Sequence, residues 1–552
     1  MEETKNYPWH KNWPADVPKT VKYDDMLPIE HIRKTAKKFP NRTAIISHEA
    51  ELTYKELNDS INYFSAGLDR LGVMKDDRVA IMLHNGIEFA IALYGILDIG
   101  AIAVLIDPTD SSALLKEKLY ETEPEIVITH NALLLEHKDI LMTKTVILVP
   151  DIQNSFWSFW EQVKSTVATT WYIITESINP VLYLHELLRK KLSFLGIKDK
   201  IYAEDTACII YSSESKAIRL SHKDLAIGAQ QTAEWAKTWY ADRFLSIFPV
   251  FRSFGLSFCL NLPFSIGGSV VLIPKANIEH ILETIQTKRP TILIGTSGIY
   301  EKLAYYKKLK NYDLSSLQFS YTIDRVSPEV QAKIKEIAQW ELIEGYGLSE
   351  ATTVQCCNIP KNPKVNSIGI PLPSVEMKIV SLDNYTIDLG PNEMGEVLIK
   401  SPSVMKNYWG IKHHANHIKN EWLHTSDVGM MDEDGYFFIF NKKRDLIRTK
   451  VGLIYPKEIE EVLNSHPDVV ECAVVGVPKN GVDYIVALIK LVEGSDITPQ
   501  ELIGYSSLVL DKHKIPEYIK ITEQLPRSET GRLMRRTLRA LAAQEVKIEK
   551  ED

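Results

Sequence analysis

Cysteine is scarce in this chain: there are five in 552 residues, at Cys208, Cys259, Cys356, Cys357 and Cys472, and no two form a Cys-x-x-Cys pair. That argues against a disulfide framework and against structural zinc, and it favours a reducing, cytoplasmic setting. Long apolar runs are missing too. A helix needs about 20 consecutive apolar residues to cross a bilayer. The most apolar stretch, Ile87 to Pro108, holds Glu88 and Asp98 and is interrupted by Gly95 and Gly100, so it reads as helix, turn and buried strand. The opening MEETKNYPWHKNWPADVP has no apolar core and does not read as a secretory signal. Nor is there an excess of positive charge. The net charge is −8, which lacks the basic footprint of a nucleic-acid binder. Tyr183 to Ile197 mixes apolar residues with Arg189, Lys190 and Lys191, a pattern that suits either peripheral membrane contact or a plain solvated helix.

What is present is an alternation. Compact runs rich in Val, Ile and Phe recur: TAIIS (43–47), RVAIML (78–83), AIAVLID (101–107), EIVIT (125–129), ACIIYS (207–212), FLSIFP (244–249), SVVLIP (269–274) and TILIGT (291–296). Runs of this length suit strands buried on both faces. Between them lie helical stretches, such as Tyr54 to Leu71. Strands alternating with helices predict an α/β fold with parallel-rich sheets. The chain is too long for one core, since single domains rarely exceed about 300 residues. Near residue 440 the character changes to a strand (YFFIF), a charged segment Asn441 to Asp445, then helix, two strands and helix. The expected division is therefore 1–440, a linker at 441–446, and a small α+β unit at 447–552.

Seven collinear segments carry a family resemblance. They are EGYGLSEAT (344–352), SIGIPLPS (367–374), GEVLIKSPSVMKNYW (395–409), WLHTSDVGMMDEDGYFFI (422–439), YPKEIEEVLNSHPDVVECAVVGVP (455–478), LPRSETGRLMRRTLR (525–539) and the opening LTYKELNDSINYFSAGLDRLGVMKDDRVAIMLHNGIEF. Together these resemble the adenylate-forming superfamily, and within it the long-chain fatty-acid–CoA ligases, from about Pro8 to Arg539. The resemblance implies a large adenylate-forming domain, a hinge and a mobile C-terminal domain. It also implies two reactions: attack of a carboxylate on the α-phosphate of ATP with Mg²⁺, then displacement of AMP by CoA.

Several positions depart from that pattern. The family's phosphate loop, close to Y-T-S-G-T-T-G-x-P-K-G, is here Tyr211-Ser212-Ser213-Glu214-Ser215-Lys216. Four residues stand between Tyr and Lys where the family has eight, and no glycine remains. Such a loop turns successive backbone N–H groups toward phosphate through positive-φ positions that glycine adopts freely. If it worked, Ser212, Ser213, Ser215 and Lys216 would hold the phosphate alone. Otherwise the segment is a strand-to-helix turn with Ser221 as N-cap. Where the family lays bare backbone against adenine, this chain has Tyr321-Thr322-Ile323-Asp324-Arg325-Val326. By resemblance Tyr346 stacks on adenine, Ser349 contacts the α-phosphate and Glu350 ligates Mg²⁺, a hard ion suited to carboxylate. Asp427 matches the ribose-binding carboxylate, preceded by Ser426 in place of glycine. Lys442 stands for a hinge arginine, Arg444 falls on the hinge position, Arg252 replaces a histidine of the acyl region, and Val451 and Leu453 replace Gly and Asn of the pantetheine loop. Arg532 replaces the lysine that drives adenylation, and arginine is not equivalent to lysine in a tight site.

The leading expectation is a long-chain fatty-acid–CoA ligase homologue, weak or inactive in adenylation, that binds fatty acid or acyl-CoA. The alternative is an active ligase using ATP, Mg²⁺ and CoA, with Ser349, Glu350, Asp427 and Arg532 at its centre. A carrier protein as acceptor, a homodimer and the acyl chain length stay open. His413, His414 and His417 read as solvated rather than metal-binding, and Cys356-Cys357 as small buried side chains.

Overall fold

The computed structural model describes residues 7–23, 25–47, 50–149, 181–189, 199–273, 277–338, 340–360, 362–410, 417–479, 481–527 and 533–548. Packing divides the chain into two units. One comprises Trp9–Glu376 with Lys400–His417; the other comprises Met1–Pro8, Met377–Ile399 and Ile418–Asp552.

The larger unit contains two parallel-rich sheets. The first runs, by position, Asn407–Tyr408, Ala217–Ser221, Thr206–Tyr211, Ile102–Leu105, Arg78–Met82, Ile126–His130, Thr145–Val149 and Val181–Tyr183. Its central strands Thr206–Tyr211 and Ile102–Leu105 are buried at every residue, which is why they read as unbroken apolar runs. The helix Ile87–Asp98 is likewise buried almost all round, so its sequence shows no polar stripe. Its carboxylate Asp98 is buried and held by Arg33 at 2.5 Å and the Ser65 hydroxyl at 2.9 Å. The preceding helix Tyr54–Arg70 starts in a capping box between Thr53 and Glu56, an arrangement that satisfies two otherwise orphaned N–H groups.

The second sheet has nine strands. A parallel set (Thr43–Ser47, Ser269–Leu272, Arg243–Ser246, Ile292–Ile294, Phe319–Thr322, Glu341–Gly347) is flanked by antiparallel Ala50–Thr53 at one edge and by Val354–Cys357 and Ile370–Pro371 at the other. Its core packs Ile46, Leu245, Leu293, Tyr300, Val330 and Trp340. Burying each such aliphatic or aromatic side chain is worth about 1.5–3 kcal/mol.

In the smaller unit Trp422–Met431 pairs antiparallel with both Gly395–Lys400 and Phe437–Lys442. The C-terminal part is a three-stranded sheet of Val469–Lys479, Val482–Leu491 and Tyr518–Ile521. Alternate residues of its long strands feed opposite cores: Val474, Ile485 and Ala487 pack with Ile459 and Leu502, while Ala473, Val475 and Val486 pack with Leu538 and Ala542. Two apolar faces at period 2 account for the solid run VVECAVVGV.

The strand and helix expectations are met within a few residues at each end. Two details differ. After Tyr211 the chain does not turn into a helix. It folds back as a hairpin, with Tyr211 opposite Ala217 and Ile210 opposite Ile218, because five residues suffice to close an antiparallel pair. The helix His222–Ala236 begins only after the second strand, and there Ser221 does cap it, its Oγ accepting from Asp224 N at 3.1 Å. Further on, Asn441 and Lys442 belong to a paired strand rather than to a linker, and only Lys443–Asp445 forms a separate single turn. By packing, 377–399 and 418–440 group with the C-terminal segment. Among the described residues no helix is long and apolar enough to cross a membrane. The segment 190–198, with Lys190 and Lys191, lies outside the described residues.

Candidate functional site

In the larger unit the hairpin Ser212–Lys216 stands where the sequence resemblance puts a phosphate loop. Its own atoms use its backbone donors. Ser212 N–H donates to the Lys216 carbonyl at 3.0 Å, and Ser215 N–H to the Ser212 carbonyl at 2.9 Å. The N–H groups of Glu214 and Lys216 both donate to Ser212 Oγ at 3.2 Å. Ser215 holds φ at +59° to close the turn. The Lys216 ammonium sits 2.8 Å from the Glu214 carboxylate and 3.4 Å from His417 Nε2. An anion-binding nest needs consecutive N–H groups aimed outward. Here four of them are turned inward, and the lysine is paired with a carboxylate of the same loop.

A buried charge pair underlies the hairpin. Lys118 and Asp110 form an ion pair with side chains about one-tenth exposed or less. The Lys118 ammonium lies 4.5 Å from the Tyr211 ring centroid, and the Tyr211 hydroxyl donates to the Lys118 carbonyl at 3.3 Å. Burial pushes the Asp110 carboxyl up and the Lys118 ammonium down from their ordinary values, so each depends on the other to remain charged.

Tyr346 is buried at the end of the strand Glu341–Gly347, and its neighbour Gly347 has a packing reason to be glycine. A Cβ there would fall 2.2 Å from the Thr353 carbonyl oxygen. Glycine at 347 is therefore required by the fold, whatever the ligand. Ser349 Oγ lies 3.1 Å from Ser253 Oγ. Glu350 accepts from the Tyr408 hydroxyl at 3.0 Å, and its carbonyl accepts from Met405 N at 2.8 Å. Burial, with the Glu350 carboxylate beside it, holds the Tyr408 phenol well above its ordinary value. It therefore remains a donor.

In the segment that the resemblance matches to adenine binding, the backbone is occupied rather than bare. Val326 N–H donates to the buried Glu344 at 2.6 Å, and burial raises the Glu344 carboxyl to about 6. Asp324 is buried, and Arg325 reaches Asn366 at 2.8 Å. Arg252 pairs with the buried Asp107 at 2.6 Å.

The residues that the resemblance matches to ribose binding and to the hinge belong to the smaller unit. Asp427 is buried, donates its backbone N–H to Thr425 Oγ1 at 3.0 Å, and pairs through its carboxylate with Lys442 at 2.8 Å. Ser426 holds φ at +57° and donates its N–H to the buried Glu396 at 3.1 Å. The turn Lys443–Asp445 is tied to the last helix, with Arg539 donating to the Arg444 carbonyl at 3.1 Å and standing 3.7 Å from Asp445. Val451 is 71% exposed at the tip of a short turn closed by Thr449 N–H on the Gly452 carbonyl at 2.9 Å; Leu453 is also exposed. Arg532 lies outside the described residues, as do His413 and His414.

Sequence reasoning missed Tyr408, Ser253, Asp107 and Glu396. Tyr408 and Glu396 both stand inside the segment GEVLIKSPSVMKNYW, but their partners are 58 and 30 residues distant. No local pattern records such a pairing. Five buried cysteines are all free, as expected for small core side chains.

Whether a nucleotide fits can be tested on these residues. A single carboxylate such as Glu350 is enough for Mg²⁺ when phosphates supply further ligands. The hairpin as folded does not fit a triphosphate: four of its five amides are spent within the loop, and Lys216 is paired with Glu214.

Comparison with known proteins agrees with the fold. The model of the AMP-binding enzyme family matches residues 32–409, and that of the AMP-binding enzyme C-terminal domain matches 458–532. A long-chain-fatty-acid–CoA ligase of Bacillus subtilis (strain 168) is 29% identical over 551 residues, covering 96% of this chain and 97% of that protein. One from Yersinia pestis is 28% identical over 572 residues, covering 98% of each. Among solved structures, ATP-bound MatB from Rhodopseudomonas palustris superimposes with a TM-score of 0.79 at 21% identity, over 94% of this chain and 99% of that one. A benzoate CoA ligase from Burkholderia xenovorans LB400 gives 0.78 at 20%, over 93% and 100%.

Proposed function

The chain belongs to the AMP-binding enzyme family, and from that premise we propose that it is a long-chain fatty-acid–CoA ligase homologue that adenylates weakly or not at all and binds fatty acid or acyl-CoA. The observation that carries this reading is the hairpin Ser212–Lys216, in which four backbone donors and the lysine are consumed within the loop and by Glu214. Opening it to take phosphate means breaking those bonds and separating an ion pair, while adding Glu214 repulsion at the polyanion. Removing even one preorganised donor at a charge-developing centre typically costs about 10²–10³ in rate.

A second reading, an active ligase using ATP, Mg²⁺ and CoA, draws support from a different corner. Ser426 keeps a left-handed backbone and Asp427 stays buried beside Lys442, so that geometry outlives the loss of the glycine. Under this reading Ser349, Glu350, Asp427 and Arg532 carry the chemistry, and 441–446 is the pivot between the two half-reactions. The two readings part in an ATP–pyrophosphate exchange assay with fatty acids of several lengths. The proposal expects exchange at background for every acid. Exchange above background that Glu350→Ala abolishes selects the active ligase.

A further inference from the structure

The larger unit carries a surface patch that neither half-reaction uses. Helix Pro28–Lys38 ends in two exposed lysines, Lys37 and Lys38, followed by Phe39, which is 39% exposed. Opposite it, the connection between helix His222–Ala236 and strand Arg243–Ser246 presents Trp239 at 56% and Tyr240 at 53% exposure, their rings 5.1 Å apart. The Arg42 guanidinium is sandwiched between the two segments, 4.0 Å from the Phe39 ring and 4.6 Å from the Tyr240 ring, with the Lys38 ammonium 5.1 Å from Phe39. Arg42, Thr43, Tyr240, Ala241, Arg243 and Ser269 then line a cleft of about 220 Å³.

Large exposed aromatics are costly to leave in water unless something covers them. Here they are also held rigid. Arg42 donates to the Gly267 carbonyl at 3.2 Å, and Arg243 to Ser269 Oγ at 3.3 Å and the Lys288 carbonyl at 2.5 Å. Among the described residues neither guanidinium is paired with a carboxylate. The nearby Asp242 is buried and spent on Trp239 N–H and the Thr291 hydroxyl, and Asp16 is paired with Lys237. Glu51, which accepts from the Thr43 hydroxyl, puts one carboxylate at the edge of the cleft, and against it Lys37, Lys38, Arg42 and Arg243 leave the patch net positive on a chain whose net charge is −8.

Trp and Tyr beside Lys and Arg is the composition that settles at the headgroup level of a bilayer, where amphipathic rings and cations are both satisfied. A second copy of this chain facing the same patch across a two-fold axis would set Lys37, Lys38, Arg42 and Arg243 against their own kind, which argues against self-association. We propose that this surface docks the protein on an anionic lipid bilayer, with Phe39, Trp239 and Tyr240 at the interface and the Arg42–Arg243 cleft on headgroup phosphates. The segment is distinct from 183–197, where the sequence suggested membrane contact. The proposal is independent of whether adenylation survives, because docking involves neither nucleotide nor acid.

Flotation of the full chain with vesicles tests it. Binding is expected to vesicles of phosphatidylcholine mixed with phosphatidylglycerol, to be much weaker with phosphatidylcholine alone, and to fall as salt screens the attraction. Trp239→Ser with Tyr240→Ser, and separately Lys37→Glu with Lys38→Glu, should each lower partitioning by roughly tenfold or more. All four side chains are exposed, so the melting temperature should stay near the parent's and separate lost docking from lost fold. Wild-type protein left unbound by anionic vesicles overturns the proposal. So does binding that both variants retain, or a dimer in solution that the same variants dissolve.

Discussion

Two corners of this molecule lack glycines that the family pattern it resembles carries, and their backbones differ in how they meet that lack. At Ser426 a serine stands at the glycine position of that pattern and holds φ at +57°, with Asp427 buried behind it. Ser212–Lys216 is shorter than the pattern and holds no glycine. Ser215 also reaches positive φ, at +59°, yet the chain closes into a hairpin whose amides bond one another. The lesson is that a single left-handed residue is replaceable at a cost of about 1–2 kcal/mol. A row of outward N–H groups is a property of loop length, and no side chain restores it.

That contrast can be broken most forcefully by lengthening the loop. Replacing Ser212–Ser215 with an eight-residue glycine-rich segment should raise pyrophosphate exchange by roughly 10² or more, the usual worth of such donors. Exchange that stays at background would mean that Arg532 and the adenine segment suffice to silence the site. The next effect concerns what holds the hairpin's base. Lys118→Met leaves Asp110 buried and unpaired beneath Tyr211, and urea denaturation should register a loss of about 3–5 kcal/mol. A loss under 1 kcal/mol would show that the pair does not anchor the strand.

A pH effect follows from the second hairpin strand. His222, at the start of the helix that leaves that strand, is fully buried, and burial lowers its imidazole to about 4. Between its ordinary value of 6.5 and about 4 the unfolded chain takes a proton that the folded one refuses. Stability is thus complete above 6.5 and declines as pH falls through that window. Buried Glu344, raised to about 6, acts in the opposite sense between its ordinary 4.5 and 6, so the wild type alone is not diagnostic. Comparison with His222→Phe isolates the histidine. From pH 7 to 4.5 the wild type should lose about 2–3 kcal/mol more than the variant, read from denaturation midpoints. The smallest effect returns to the other corner: Ser426→Gly should add about 0.5–1 kcal/mol by relieving the left-handed serine, with no change in ligand binding.

The apolar runs made the sheets legible, since a strand buried on both faces writes itself as Val, Ile and Leu without interruption. The small C-terminal sheet was equally plain. Less legible was the hairpin after Tyr211. Its shortened length showed that the loop was altered, but a strand pairing with the strand before it leaves the same local signal as a turn into a helix. The candidate site was legible where residues act singly, as at Glu350 and Asp427. Their partners Tyr408 and Lys442 emerge only when the chain is folded, because such pairings are made across tens of residues or between paired strands.

Whether the hairpin can hold a triphosphate decides between the two readings of this chain. Calorimetric titration of the full chain with Mg-ATP tests it most directly, since enzymes of ordinary kinetics hold their substrates at about 1 μM to 1 mM. No saturable heat across that range is the predicted result. A saturating isotherm within it, weakened by Lys216→Ala, would contradict the account and restore the hairpin as a working phosphate site.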